Sequence, residues 1–174
     1  VGWKETENIF SRDMIKRIAV HEMGHAITGF LLKEHAKLSR VYLNSMSPNN
    51  PGYTVFETSE IDSNIFTREK LFSHLVVLLS GRNAEKIFFD ESVTTGASKD
   101  FEQAYKLAED MVLKYGMGDY DIYTFNSDNS KDKIDKEIFD LIEKANAKSL
   151  EIIRDAKEVM NELADQLIDS KKLD

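Results

Sequence analysis

The sequence predicts a mainly helical α+β fold with one small sheet, and three observations predict it. Proline occupies only two of the 174 positions, Pro48 and Pro51, so little interrupts helices. Four long stretches, within residues 11–33, 67–89, 98–116 and 131–170, carry apolar residues at helical spacing. Only residues 38–57 read as strand, split by the turn-forming SPNNPG at 47–52. Hydrophobic residues make up 41% and charged residues 31%, a globular composition. A domain of this length hides roughly 70% of the surface its unfolded chain exposes.

Residues 1–10 read as a lead-in and 11–174 as a single domain, with a core at 11–118 and C-terminal helices at 131–174. Ser11 is suited to cap the first helix, and Asp13 complements its N-terminal dipole. Up to about Lys33 this helix is apolar nearly all round. Ile15, Ala19, Ala26 and Phe30 share one side and Val20, Ile27 and Leu31 another, so it belongs in the middle of the fold. Val41 and Leu43 alternate with Arg40, Tyr42 and Asn44, predicting a strand over 38–44; Tyr53 to Glu57 predicts its hairpin partner. Thr67 caps a second core helix, to about Phe89, carrying Leu71, Phe72, Leu75, Val76, Leu78 and Leu79. Ser98 is read as the cap of a third, with Phe101, Ala104, Ala108, Met111, Val112 and Tyr115 as its buried stripe and Gly116 as its stop. Residues 117–130 read as irregular, with a short extended piece from Tyr120 to Phe125. From Lys131 the helical pattern returns, with Asp132–Lys136 and Asp140–Lys144 in the favourable i,i+4 order. It is too long for one globular helix, so a break near residues 154–156 and a last helix to about Ser170 are expected.

Composition excludes several functions. Without cysteine there is no disulfide framework, thiolate metal site or cysteine nucleophile, which fits a reducing, cytoplasmic setting. The net charge of −8, with no basic cluster, argues against a nucleic-acid partner. No apolar run approaches the ~18 residues of a membrane span, and no signal peptide is visible.

The chemistry concentrates in HEMGHA at 21–26. His21 and His25 stand one helical turn apart on one face, a spacing at which two neutral imidazoles reach one zinc ion. Glu22 lies ~100° from His21 and ~60° from His25 on the wheel, so it can flank the metal and take a proton from the water that the metal acidifies. Gly24 removes a side chain and admits another element close to the helix. The plainer alternative is a pair of partly buried histidines satisfied by hydrogen bonds. The motif does not name its third ligand. Glu85 in SGRNAEK and Asp100 in TTGASKDF are equal candidates, with a smaller share for His74; Asp100 could instead serve only the helix dipole. His35, in a polar helix-end segment, is expected on the surface.

Three blocks in order, HEMGHA at 21–26, SGRNAEKIFF at 80–89 and TTGASKDFEQAYKLAEDMVLKYGMG at 94–118, resemble the peptidase domain of the FtsH family, the AAA+-associated zinc metalloproteases. The likeness runs by motif from about residue 11 to 118; the later helices match in character only. It implies a zincin-like peptidase domain in which His21, His25 and Asp100 bind Zn2+ and Glu22 is the catalytic base. It implies for Glu85 a place beside the site, for which a surface salt bridge is the equal alternative. It implies that Tyr53, Thr54, Val55 and Phe56 present a strand edge to polypeptide substrates. Met23 stands where the family usually has a small residue, and Lys99 and Phe101 flank Asp100 in place of commoner ones. The resemblance also implies an AAA+ ATPase partner in the same or another chain, and homo-hexameric rings. These 174 residues hold no G-x-x-x-x-G-K-[ST] phosphate loop, and the chain begins at Val1. It therefore reads as an excised domain or a free-standing relative, cytoplasmic or on the cytoplasmic face of a membrane. A non-catalytic, zinc-stabilised peptide-binding or ring-assembly module is the rival from another class, and a small-amide hydrolase a third.

Overall fold

A computed structural model describes residues 9–58, 64–124 and 128–174. Most of the lead-in and Phe125 lie outside the described residues. Helix α1 (Arg12–Leu31) starts at Ser11, whose hydroxyl accepts the Met14 N–H. Strands β1 (Leu38–Leu43) and β2 (Gly52–Phe56) pair antiparallel across the Pro/Gly turn, as expected. Helix α2 (Arg68–Phe88) is capped by Thr67. Helix α3 (Ser98–Leu113) is followed by α4 (Asp128–Asp155) and α5 (Lys157–Ser170). The sheet has a third strand that the sequence pattern did not announce, β3 (Lys172–Leu173), giving the order β2-β1-β3. A two-residue strand has no periodicity to read. It forms because Lys171 turns left-handed (φ 65°) at the end of α5 and delivers the tail to β1.

Two apolar clusters flank the α1–α2 pair. The first joins Ile15, Ala19, Val20 and Met23 of α1 to Val41 and Leu43 of β1 and to Met160, Ala164 and Leu167 of α5. The second joins Leu75, Val76, Leu78 and Leu79 of α2 to α3 and α4 through Ala104, Ala108, Val112, Ile134 and Ile138. Each fully buried Leu or Ile here contributes about 1.5–3 kcal/mol of apolar burial. A polar seam crosses between the clusters: Ser80, Asn83, Asn146 and Ser149 hydrogen-bond to one another at 2.8–3.0 Å and dock α4 on α2.

Several expectations need correcting. Phe30 and Leu31 are 70% and 52% exposed, because the last turn of α1 projects past its neighbours and a helical wheel knows nothing of helix ends. Phe101 and Tyr115 leave the buried stripe of α3 in the same way. Ser98 does not cap α3, since its backbone is already helical; the chain enters through a 3-10 turn at Thr95–Ala97, where the Thr94 hydroxyl accepts the Gly96 N–H. Tyr120 to Tyr123 form no strand, and Tyr123 instead bonds Glu137. Helix α4 begins at Asp128, three residues before Lys131, and Lys136 pairs with Asp140. The helix break falls at Ala156, within the expected interval.

Candidate metal centre

Helix α1 crosses α2 at very short range. A Cβ built on Gly24 would lie 2.5 Å from the Ser80 carbonyl oxygen, so the glycine is a steric requirement of the crossing. From the other side, a Cβ on Gly81 would lie 2.4 Å from His21 Nε2 and 2.6 Å from His25 Nε2. The crossing thus presses the two histidines against bare α2 backbone and fixes their rings.

His21 Nε2, His25 Nε2 and Asp100 Oδ2 converge. Their separations are 3.1 Å between the histidine nitrogens, 3.1 Å from His21 to Asp100 and 3.3 Å from His25 to Asp100. Three ligands about 2.0–2.1 Å from one ion at tetrahedral angles stand about 3.3 Å apart. Among the described residues this is the one group of three or more such side chains close enough to share an ion. Asp100 arrives from the first turn of α3, behind the 3-10 turn.

The outer nitrogens decide what the inner ones can be. His25 Nδ1 lies 2.8 Å from the Val77 carbonyl oxygen, which only accepts, so Nδ1 carries the hydrogen. His21 Nδ1 lies 2.9 Å from Glu85 Oε2 and donates likewise. In neutral rings both Nε2 atoms are then bare lone pairs, facing each other and a carboxylate oxygen. Three acceptors in mutual contact without a hydrogen among them call for a cation, and the N, N, O set suits zinc. The hydrogen-bonded Nδ1 atoms supply the orientation such a site needs.

The electrostatics point the same way. Burial works against charge on His21, but hydrogen bonds to Asp100 and Glu85 and the charge of Glu22 outweigh it and raise its pKa to about 9, so the same acceptors hold a proton where a metal ion would otherwise stand. Burial also opposes ionisation of Asp100, yet His21 and His25 keep it well below the usual carboxylate range. Glu85 is lowered against its burial by His21 and Thr94. The pocket gathers negative charge around two imidazoles and so attracts a cation.

Glu85 is 1% exposed; its Oε1 accepts the Thr94 N–H, so it ties His21 to the loop carrying Asp100. It touches the outer side of His21, away from the converging atoms, and a surface salt bridge does not describe it. His74 lies at the lip of the cleft and outside the ligand triangle. His35 is half-buried rather than on the surface, because the chain after α1 folds it against Phe56 (ring centroids 4.4 Å apart) and onto His74.

A cleft of about 540 Å³ opens over the centre. Glu22 stands in it beside the histidines, and the Thr54 hydroxyl donates to Glu22 Oε2 at 2.8 Å. Strand β2 lies at the sheet edge and forms one wall through Tyr53, Thr54 and Phe56. Tyr53 is 40% exposed and stacks on Tyr42, whereas Val55, half-buried, does not line the cleft. Sequence reasoning missed Val77 and Gly81. A carbonyl leaves no side-chain signal, but a glycine inside an apolar helix, as at Gly81, does signal a close approach.

Fold and site together define a zinc metallohydrolase domain of the H-E-x-x-H type. A profile of Peptidase family M41 matches residues 8–174. The chain is 32% identical to "ATP-dependent zinc metalloprotease FtsH" of Trieres chinensis, over 90% of this chain and 27% of that protein. It is 30% identical to "ATP-dependent zinc metalloprotease FTSH 5, chloroplastic" of Arabidopsis thaliana, over 99% of this chain and 28% of that one. A similar match, 28% identical over 99% of this chain and 26% of the relative, is to the FtsH protease of Clostridium perfringens. This chain belongs to peptidase family M41 and is a zinc metalloprotease domain of FtsH type. It spans about a quarter of the length of these relatives. Among the described residues no helix is long and apolar enough to cross a membrane.

Proposed function

We propose that this domain is an endopeptidase that cleaves unfolded or extended polypeptides, with His21, His25 and Asp100 as the zinc ligands and Glu22 as the general base. The observation that carries the proposal is the ligand triangle beside Glu22 on the floor of a cleft walled by an edge strand. Zinc supplies Lewis acidity there, lowering the pKa of water toward about 7 and polarising the carbonyl. Glu22 accepts the proton of the attacking water and returns it to the leaving amine. Thr54 holds Oε2 of Glu22 and leaves its other oxygen for the proton. The free edge of β2 binds the peptide main chain by strand addition, which tolerates many side chains. A substrate that adds as a strand along β2 must be extended, so a folded protein has to be unfolded first. The relatives are described as ATP-dependent, and an AAA+ ATPase, in the same or another chain, is proposed as the partner that delivers it. A homo-hexameric ring is the proposed assembly, and the cytoplasm or the cytoplasmic face of a membrane the proposed location.

The test is Glu22→Gln. Cleavage of an unfolded protein should fall at least 100-fold while about one zinc per chain remains by elemental analysis. Normal turnover would remove Glu22 from the mechanism. Asp100→Ala should lose zinc; unchanged affinity would reassign the third ligand.

A further inference from the structure

The two histidines outside the metal centre form a pair of a different kind. In both histidine pairs the near nitrogens are 3.1 Å apart. In the His21–His25 pair the ring centroids are 4.8 Å apart and the planes 75° apart, so the nitrogens aim at a point off the line between them. In the His35–His74 pair the centroids are 5.4 Å apart and the planes 19° apart. Rings with nitrogens this close reach that separation only when the two nitrogens point straight at each other, as in an N–H···N hydrogen bond.

The direction of that bond follows from its far end. His35 Nδ1 lies 3.0 Å from the Ala36 carbonyl oxygen, which only accepts. Nδ1 of His35 therefore carries its hydrogen, and the neutral ring offers a lone pair at Nε2. His74 Nδ1 must donate to it, which leaves His74 Nε2 bare. The surrounding protein disfavours a charge on His74, as does the repulsion that a second proton in this cluster of imidazoles would meet, and its pKa is lowered to about 4, so the ring is neutral near pH 7. The pair thus presents a fixed acceptor. Phe56, Val77 and Leu78 line the same cleft with apolar surface.

We propose that His74 determines specificity in a subsite of the cleft that takes a substrate side chain with an apolar body and an uncharged donor at its tip, a tyrosine or tryptophan. His35 is its positioning residue. The inference rests on the peptidase reading for the identity of the ligand as a polypeptide. His74 precedes Gly81 by seven residues, about 10 Å along the helix axis. An extended peptide lying along α2 would cover that in about three residues.

The test uses zinc-loaded Glu22→Gln protein and a set of extended peptides carrying Phe or Tyr at each position in turn, read by fluorescence polarisation. One position should favour Tyr by about 3–10-fold, the effect of one neutral hydrogen bond. The preference should collapse to about 1 in the additional variant His74→Leu. Long-range 1H–15N spectra of the histidines should show His35 and His74 protonated at Nδ1 and bare at Nε2. No position with a Tyr preference, a preference that survives His74→Leu, or no peptide binding would each overturn the subsite. Hydrolysis of the same peptides by the wild type is scored separately. Its absence would sink the peptidase reading while a His74-dependent Tyr preference in binding still stood.

Discussion

Gly81→Ala should dismantle the metal centre while sparing the fold. The added Cβ would stand 2.4 Å from His21 Nε2 and 2.6 Å from His25 Nε2, where ordinary contact begins at 3.4 Å, so both nitrogens must retreat by about 1 Å. Neither ring is free to do so. His21 is held at Nδ1 by Glu85 at 2.9 Å and His25 by the Val77 carbonyl at 2.8 Å, with Gly24 locking the crossing behind them. Losing one outer partner of a metal-bound histidine typically costs 10–100-fold in affinity, so displacing both ligands should weaken zinc binding by about 10²–10⁴-fold. The same substitution replaces a mid-helix glycine by the best helix former, worth about 1 kcal/mol, against an overpacking cost of about 1–3 kcal/mol. In excess chelator the melting temperature should therefore move by only a few degrees. The assay is zinc competition against a chromophoric chelator, with thermal unfolding in chelator as the control for folding. Zinc affinity within threefold of wild type would refute the claim that the bare backbone of α2 defines the site.

Gly24→Ala should behave in the opposite way: its Cβ meets the Ser80 carbonyl oxygen at 2.5 Å, so chelator-treated protein should lose about 1–3 kcal/mol in denaturant titration. Glu85→Gln should weaken zinc binding by about 10–100-fold in the same competition, because it removes the charged acceptor behind His21. Thr54→Val should lower kcat for an unfolded substrate by about 3–10-fold at unchanged zinc content, since Glu22 loses the hydroxyl that orients it. Ser149→Val should cost about 1–3 kcal/mol in thermal unfolding, as Ser80 and Asn83 both lose a buried partner.

What the sequence made legible follows from the range of the physics involved. Helix caps at Ser11 and Thr67, the Pro/Gly turn and the i,i+4 histidines are local, and each is written in a few adjacent residues. The third ligand is not local. Residue types and wheels left Glu85 and Asp100 level; the family resemblance pointed to Asp100, and the packed structure gives the physical reason, by placing Glu85 at the outer nitrogen of His21 and Asp100 at the inner. His35 read as a surface residue and His74 as a minor candidate for the third ligand, 39 positions apart, and only the turn after α1 makes them a pair. The overestimates at Phe30, Leu31, Phe101 and Tyr115 share one cause. Each continues an apolar stripe past the point where a neighbouring helix stops covering it.

Helix α2 contributes no atom to the ligand triangle, yet it decides the site's geometry. Val77, Gly81 and Glu85 recur at four-residue intervals and so lie along one face. That face meets α1 with a carbonyl for His25, empty space for both rings and a carboxylate for His21. His74 stands on the same side of the helix one turn earlier and lines the same cleft. A shift of α2 by a single residue would put side chains where Gly81 leaves room and remove both outer partners at once. Metal affinity therefore depends on the docking of α2, although a change confined to the facing backbone, such as Gly81→Ala, acts on the first and largely spares the second. A substitution that loosens the Ser80–Ser149–Asn83 seam on the far side of α2 should be felt first as a weaker zinc site, before the fold itself gives way.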